Sequence, residues 1–391
     1  MSNQIRTTLF ASALALAVTV SAGAQAERGV TDDAIHFGQS AALGGPASAL
    51  GIGMREGLLA AFEEVNRNGG VNGRRLDLTS YDDGYEPERA IAHTIKLIEE
   101  DQVFALIGEI GTPTSKAVQP IATEQAVPFI GPFTGAGFLR NASLGNIVNV
   151  RATYGQETET WIQHLTEDLG YDRIAILYQD DSFGRVGLAG VKKAMDKRGL
   201  ELVAEGTYKR NTTAVKSALL KIRKANPQAV VMVGPYKPIA AFIKLADKVG
   251  MKATFVNISF VGSKALAKEL GDSGAGVVVT QVVPFPWDTS LPLVANYQAA
   301  LKANNPGAEP GFVSLEGYMV GRITIMALAK IDGEVTRQKL MDVIASTGSF
   351  DLGGVTLTYG PDDNQGMDQV FLTVIQPDGS FKAVERLGSA G

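Results

Sequence analysis

Three histidines, His36, His93 and His164, are the whole stock of side chains that titrate near neutral pH, and the chain has no cysteine. Without thiols there is no disulfide, thiol nucleophile, iron–sulfur cluster or thiolate zinc site. The pairs Asp82-Asp83 and Asp180-Asp181 each follow an apolar, β-type run. Metal carboxylates sometimes sit there, but turn and helix-cap acids are commoner. Gly51-x-Gly53-x-x-x-Gly57 approaches a dinucleotide fingerprint. Gly44-Gly45-Pro46 intervenes after the first strand, however, and the last glycine comes one residue late, so close helix packing is the better reading. Gly271-Asp272-Ser273-Gly274 echoes a serine-hydrolase string with no histidine in a companion motif. No Gly-x4-Gly-Lys-[Ser/Thr] string occurs to cradle nucleotide phosphates. Nothing here assembles a catalytic centre, so neither an enzyme nor a metal or cofactor is expected.

The elements that must position any remaining chemistry come from composition and periodicity. The chain has 391 residues, enough for two or three domains. Its 45% hydrophobic and 20% charged residues exclude disorder as the main state. With 36 Lys and Arg against 41 Asp and Glu, the net charge is −5, a poor match to nucleic acid. Arg6, the apolar run 8–20 and Ala24-Gln25-Ala26 read as a signal peptide over 1–26 and imply export to the periplasm. That run is too short to span a bilayer, which takes about 20 apolar residues.

Beyond it, short β-branched runs alternate with amphipathic ones. Strands are expected at 35–39, 76–81, 103–107 and 128–131, with helices at 53–67, 87–100 and 115–124 between them. The pattern restarts with a helix at 156–169 and strands at 173–178, 202–208, 229–233, 254–256 and 277–283. Helices at 186–198, 215–225 and 238–249 separate the first four of these. Helices at 293–303, 315–330 and 337–346 and strands at 355–359 and 369–376 close the chain. Repeated βα alternation predicts parallel sheets covered on both faces, hence two doubly wound α/β lobes with ligand sites beyond the carboxyl ends of their strands.

From Gly38 onward the residues carry a resemblance. The Asn66-x-Asn68-Gly69-Gly70-Val71-Asn72-Gly73 turn is its most diagnostic string. It continues in Ile107-Gly108 ahead of Thr112, Val127-Pro128-Phe129-Ile130, Asp181-Ser182-Phe183-Gly184 and Gly234-Pro235-Tyr236. Over 29–386 the sequence resembles the Leu/Ile/Val-binding protein family, the type I periplasmic solute-binding proteins of ABC importers. The resemblance implies three crossings between lobes, near 149–153, 280–283 and 359–364. Lobe one is then 29–150 plus 283–359, and lobe two 151–282 plus 360–391, closing on a hinge.

It also implies a pocket. Ser48 and Leu50 come from the first loop, and Glu109 and Thr112 follow the third strand. Phe133 and Thr134 follow the fourth, while Tyr154, Phe183, Tyr236, Ser259 and Phe260 come from lobe two. Thr112 stands where the family commonly binds the ligand carboxylate with a hydroxyl; a lone Thr there also reads as a helix cap. Thr134 and its neighbouring amides are placed for the same oxygens. Ser259 departs from the family's amino-acid binders, which have an acid at that position; Glu109 could replace that charge. The expected function is capture of a hydrophobic or aromatic carboxylate or amide for an ABC permease. Uptake of branched-chain or other amino acids, and sensing through a signalling receptor, stay open as alternatives. The expected protein is a monomer that binds no nucleic acid.

Overall fold

The computed structural model describes residues 27–388; the signal-peptide reading of 1–26 lies outside them. The first unit runs β1 (Ala34–Ala41), α1 (Ser48–Asn66), β2 (Arg75–Asp82), α2 (Pro87–Glu99), β3 (Ala105–Ile107), α3 (Thr112–Glu124), β4 (Phe129–Ile130) and β5 (Ile147–Val148). Its strands form a parallel sheet in the order β2-β1-β3-β4-β5.

The second unit runs α4 (Tyr154–Glu167), β6 (Ile174–Gln179), α5 (Ser182–Asp196), β7 (Ala204–Tyr208), α6 (Lys216–Lys224), β8 (Ala229–Val233), α7 (Tyr236–Lys248), β9 (Thr254–Asn257), α8 (Ser263–Leu270) and β10 (Val278–Gln281). The chain then forms α9 (Pro292–Asn304), α10 (Phe312–Ala329), α11 (Arg337–Thr347) and a hairpin, β11 (Ser349–Asp351) with β12 (Thr356–Thr358). It ends in β13 (Phe371–Ile375) and β14 (Phe381–Val384), which join the second sheet antiparallel, in the order β14-β13-β10-β9-β8-β6-β7.

All five residues of β8, Ala-Val-Val-Met-Val, are buried, as an interior parallel strand covered on both faces requires. The return to the first unit is made by α10 lying on α1, and here the early glycines find their use. A Cβ on Gly57 would strike the Ser314 carbonyl, and one on Gly317 the Met54 carbonyl. Gly51 sits likewise on the Ala42 carbonyl, holding the β1–α1 turn tight. These glycines let backbones touch.

The chain leaves the first sheet for the second after β5, returns after β10 to lay α10 on α1, and rejoins the second sheet at β13 after the separate β11–β12 hairpin. Four helices, α1, α3, α5 and α10, begin three or more residues earlier than periodicity predicts. Asp181 caps α5 by accepting from the Phe183 N–H at 3.0 Å, and α3 starts at Thr112 behind Gly111 at φ +100°. The Asp181 cap extends α5 into a segment that shows no apolar period. Unforeseen elements are short: β5, β11, β14, and α8 between Gly262 and Gly271, both at positive φ.

Candidate ligand-binding site between the two sheets

Five aromatic rings meet where the loops beyond the two sheets face each other. Tyr85 comes from the β2–α2 loop and Phe133 from the segment after β4; Tyr154 opens α4, Phe183 lies in the first turn of α5, and Phe260 follows β9. Phe260 is the hub, with ring centroids 4.7 Å from Phe183, 5.3 Å from Phe133 and 5.9 Å from Tyr85; Tyr154 lies 5.4 Å from Phe183. All five are buried, and they come from both units. Leu50 seals one side against Gly262, and the Tyr236 hydroxyl accepts from the Ala49 N–H at 3.4 Å. Ser48 is half-buried and lines a groove of about 330 Å³ between the first turns of α1 and α8.

Two threonine hydroxyls sit beside this cluster. Thr112 Oγ1 and Thr134 Oγ1 are 2.7 Å apart and buried. Gly111, not Thr112, is the N-cap of α3, and no side chain caps that end. The Tyr154 hydroxyl is buried without a hydrogen-bond partner; its polar neighbours are Thr134 and Arg151. Burial raises its pKa, so the group stays a neutral donor.

A buried carboxylate from another element meets Ser259. Glu157 on α4 accepts from the Ser259 N–H and hydroxyl, both at 2.8 Å, and from the Thr280 hydroxyl at 2.5 Å. Ser259 in turn accepts from Arg151 Nη2 at 2.5 Å, so one hydroxyl links a buried carboxylate to a buried guanidinium. Arg151 Nε lies 3.3 Å from Glu316 of α10, and its guanidinium covers the Phe133 ring 4.4 Å from the centroid. Burial raises both Glu157 and Glu316, the latter to about 7, against the pull of Arg151. Arg140 is lowered to about 9 by burial and then by Arg151. Its guanidinium donates to the carbonyls of Thr134, Ala136 and Arg151.

Glu109 belongs to a separate cluster within the first unit. Both its carboxyl oxygens are buried without hydrogen bonds, and its polar surroundings are Asp83, Ser40 and Thr94. Burial, then Asp83, pushes its pKa well up. Asp83 accepts from the Tyr85 N–H at 2.7 Å and the Ser40 hydroxyl at 3.0 Å, and burial raises it to about 6.

A clasp joins the two units across the mouth. Arg210, after β7, meets Glu86 of the first unit at 2.8 Å and Asp181 at 3.2 Å. Asn211 donates to the Gly84 carbonyl and to Glu86, and Gln179 donates to the Tyr85 hydroxyl.

The sequence profile described as periplasmic binding protein matches residues 34–380. The chain belongs to that family. Among relatives of this family, the leucine-, isoleucine-, valine-, threonine- and alanine-binding protein of Pseudomonas aeruginosa is 23% identical over 312 residues, covering 80% of this chain and 82% of its own. A solved structure of a possible leucine/isoleucine/valine-binding protein from Rhodopirellula baltica superposes with a TM-score of 0.86 at 38% identity, covering 90% of this chain and 96% of that one. A fatty acid ABC transporter substrate-binding protein from Thermomonospora curvata shares the fold, with a TM-score of 0.84 at 23% identity over 94% and 95% of the two chains. The two-sheet architecture described above is thus the type I periplasmic binding fold, and the family binds small solutes.

Within that family frame, the structure brings together Phe133, Tyr154, Phe183 and Phe260, with Thr112 and Thr134 beside them. Leu50 and Tyr236 close the flank, Ser259 joins the charge cluster, and Glu109 turns into the first unit. Sequence reasoning missed Tyr85, Arg151, Glu157, Arg210 and Glu316. Tyr85 had a signal in the Asp82-Asp83-Gly84 turn before it. Glu157 and Glu316 lie within the expected helices 156–169 and 315–330, where only the tertiary fold shows that they are buried.

Proposed function

We propose that this protein captures a small hydrophobic or aromatic carboxylate, or its amide, between its lobes in the periplasm and delivers it to an ABC permease. Lobe one is 29–150 plus 283–359, and lobe two is 151–282 plus 360–391. The observation that carries the reading is the buried five-ring cluster, drawn from both units, set beside the paired Thr112 and Thr134 hydroxyls. Apolar walls with a few convergent polar groups are the usual make-up of a small-molecule site. A ligand body stacks among Tyr85, Phe133, Phe183 and Phe260 while its acid meets the hydroxyls.

A ligand ammonium has less support. Glu157, the acid at Ser259, already accepts three hydrogen bonds and faces Arg151, so it offers little to a further cation. Uptake of a branched-chain amino acid is the second reading, favoured by the amino acids for which the Pseudomonas relative is named.

Paired calorimetric titrations of phenylalanine with 3-phenylpropanoate, and of leucine with 4-methylpentanoate, separate the two. Tighter binding of each deaminated acid supports the first reading. Binding of the amino acids alone rejects it in favour of the second.

A further inference from the structure

Beside the aromatic cluster stands a guanidinium with more donors than partners. Arg151 lies in the connection between β5 and α4, the first passage between the sheets, and is 1% exposed. Nη2 is used on Ser259, and Nε faces Glu316 outside hydrogen-bond geometry. Nη1 has no partner at all. The nearby Tyr154 hydroxyl is also buried and unpartnered. A buried donor left unmade costs the fold its full desolvation, so two such donors side by side imply a missing acceptor.

The surrounding chemistry indicates what that acceptor is. The guanidinium sits over the face of Phe133, one of the five rings, and so adjoins the aromatic cluster. The Thr134 hydroxyl adjoins Tyr154 and pairs with Thr112. Four donor-capable groups, Arg151 Nη1, Tyr154 Oη, Thr134 Oγ1 and Thr112 Oγ1, thus border one aromatic wall. Of the two carboxylates near Arg151, Glu157 already accepts three hydrogen bonds, and Glu316 meets only the Arg151 Nε, at 3.3 Å. Arg140, the other cation, is committed to backbone carbonyls.

We infer that Arg151 and Tyr154 together bind the ligand's carboxylate, as the charged anchor of the site, with the threonine pair as its neutral side. The inference rests on the reading of this cluster as the ligand site. It places the anchor at the crossing between the units, not wholly on the first one. A charged, planar donor prefers an anion to an isosteric neutral amide, because charge-assisted hydrogen bonds are about twice as strong.

The test is the ratio of affinities for an acid and its amide, 3-phenylpropanoate against 3-phenylpropanamide, by calorimetry on the intact protein. Wild type should favour the acid by about 30-fold or more. Tyr154→Phe should lower acid affinity several-fold and leave the amide unchanged. Arg151→Met alone would strand Glu316, so it is made together with Glu316→Gln, and folding is checked by circular dichroism. In that folded double variant the ratio should fall to near 1. An undiminished ratio there, or a wild-type ratio near 1, overturns the assignment while leaving the ligand class standing. If neither probe binds but leucine does, the ligand class fails instead. The same variants are then read with leucine against leucinamide, where an unchanged preference overturns the arginine assignment.

Discussion

At the scale of single residues, burial and not identity decides what each acid and hydroxyl can do. Thr112 and Thr134 face each other because α3 begins with a glycine at positive φ, which leaves the Thr112 hydroxyl free of cap duty. Thr112→Ala is therefore expected to weaken acid-probe binding by about 10- to 150-fold, the equivalent of about 1.5–3 kcal/mol for one charge-assisted hydrogen bond. Calorimetry checks it, and unaltered affinity would reduce Thr112 to a packing residue. Asp83 makes a different prediction. Its folded pKa, about 6, lies above the usual 3.8, so the folded state binds more protons than the unfolded one between about pH 4 and 6. Stability should fall as pH rises through that window and stay reduced above it. Asp83→Asn, which keeps an acceptor for the Tyr85 N–H, should remove up to roughly 3 kcal/mol of that fall. Urea midpoints at pH 4.5 and pH 7 for the two proteins give the comparison. Equal slopes would show that Asp83 does not titrate in this range.

At the scale of elements, the crossing of α1 and α10 and the clasp at the cleft mouth have opposite characters. The helix crossing is backbone against backbone, with Gly57 on the Ser314 carbonyl and Gly317 on the Met54 carbonyl, so neither partner can yield. Gly57→Val should therefore destabilise by about 3 kcal/mol or more through overpacking, seen as a lowered melting temperature. The clasp from Arg210 to Glu86 and Asp181 is partly exposed, and such pairs contribute only about 0–1 kcal/mol each. Arg210→Ala should leave the melting temperature nearly unchanged but speed release of the tightest-binding acid probe about 2- to 5-fold. The difference from wild type should shrink in 1 M salt, where screening reaches about 3 Å. Stopped-flow dissociation tests this; a salt-independent effect would remove the clasp from the closed state. The sequence displayed α1 and α10 through their apolar periodicity. It hid the clasp, because a loop arginine carries no periodic signal and its partner lies 124 residues away.

At the scale of the whole molecule, the doubled βα alternation was legible because parallel strands buried on both faces must be continuously apolar, as Ala229–Val233 shows. Elements with no such demand escaped notice, among them the two-residue β5 and the edge strand β14. The aromatic wall was partly legible, since Phe133, Phe183 and Phe260 each stand outside the periodic runs of the sequence, where a core role is not dictated. Its charged half was not. Arg151 and Glu157 come from a connection and the helix after it, Glu316 from a helix far along the chain, and only tertiary packing links the three, with Ser259 between Arg151 and Glu157. Three passages between the sheets imply a hinge-bending path, so an acid probe that binds both lobes should draw them together. Small-angle scattering should then give a smaller radius of gyration at saturation than without the probe; identical profiles would argue for a rigid site.

The chain has two tryptophans, and they are placed very differently. Trp161 is buried in α4 and donates to Thr280 at 3.1 Å. Trp287 is 38% exposed in the second passage between the sheets, stacked at 11° and 5.7 Å on Phe381 of the second unit and edge-on to Phe312 of the first. Any change in the angle between the units must disturb that three-ring contact, whereas Trp161 reports, through Thr280 and Glu157, on the charge cluster beside the rings. The molecule therefore carries its own optical gauge of lobe position, and ligand screening by intrinsic fluorescence needs no dye or label.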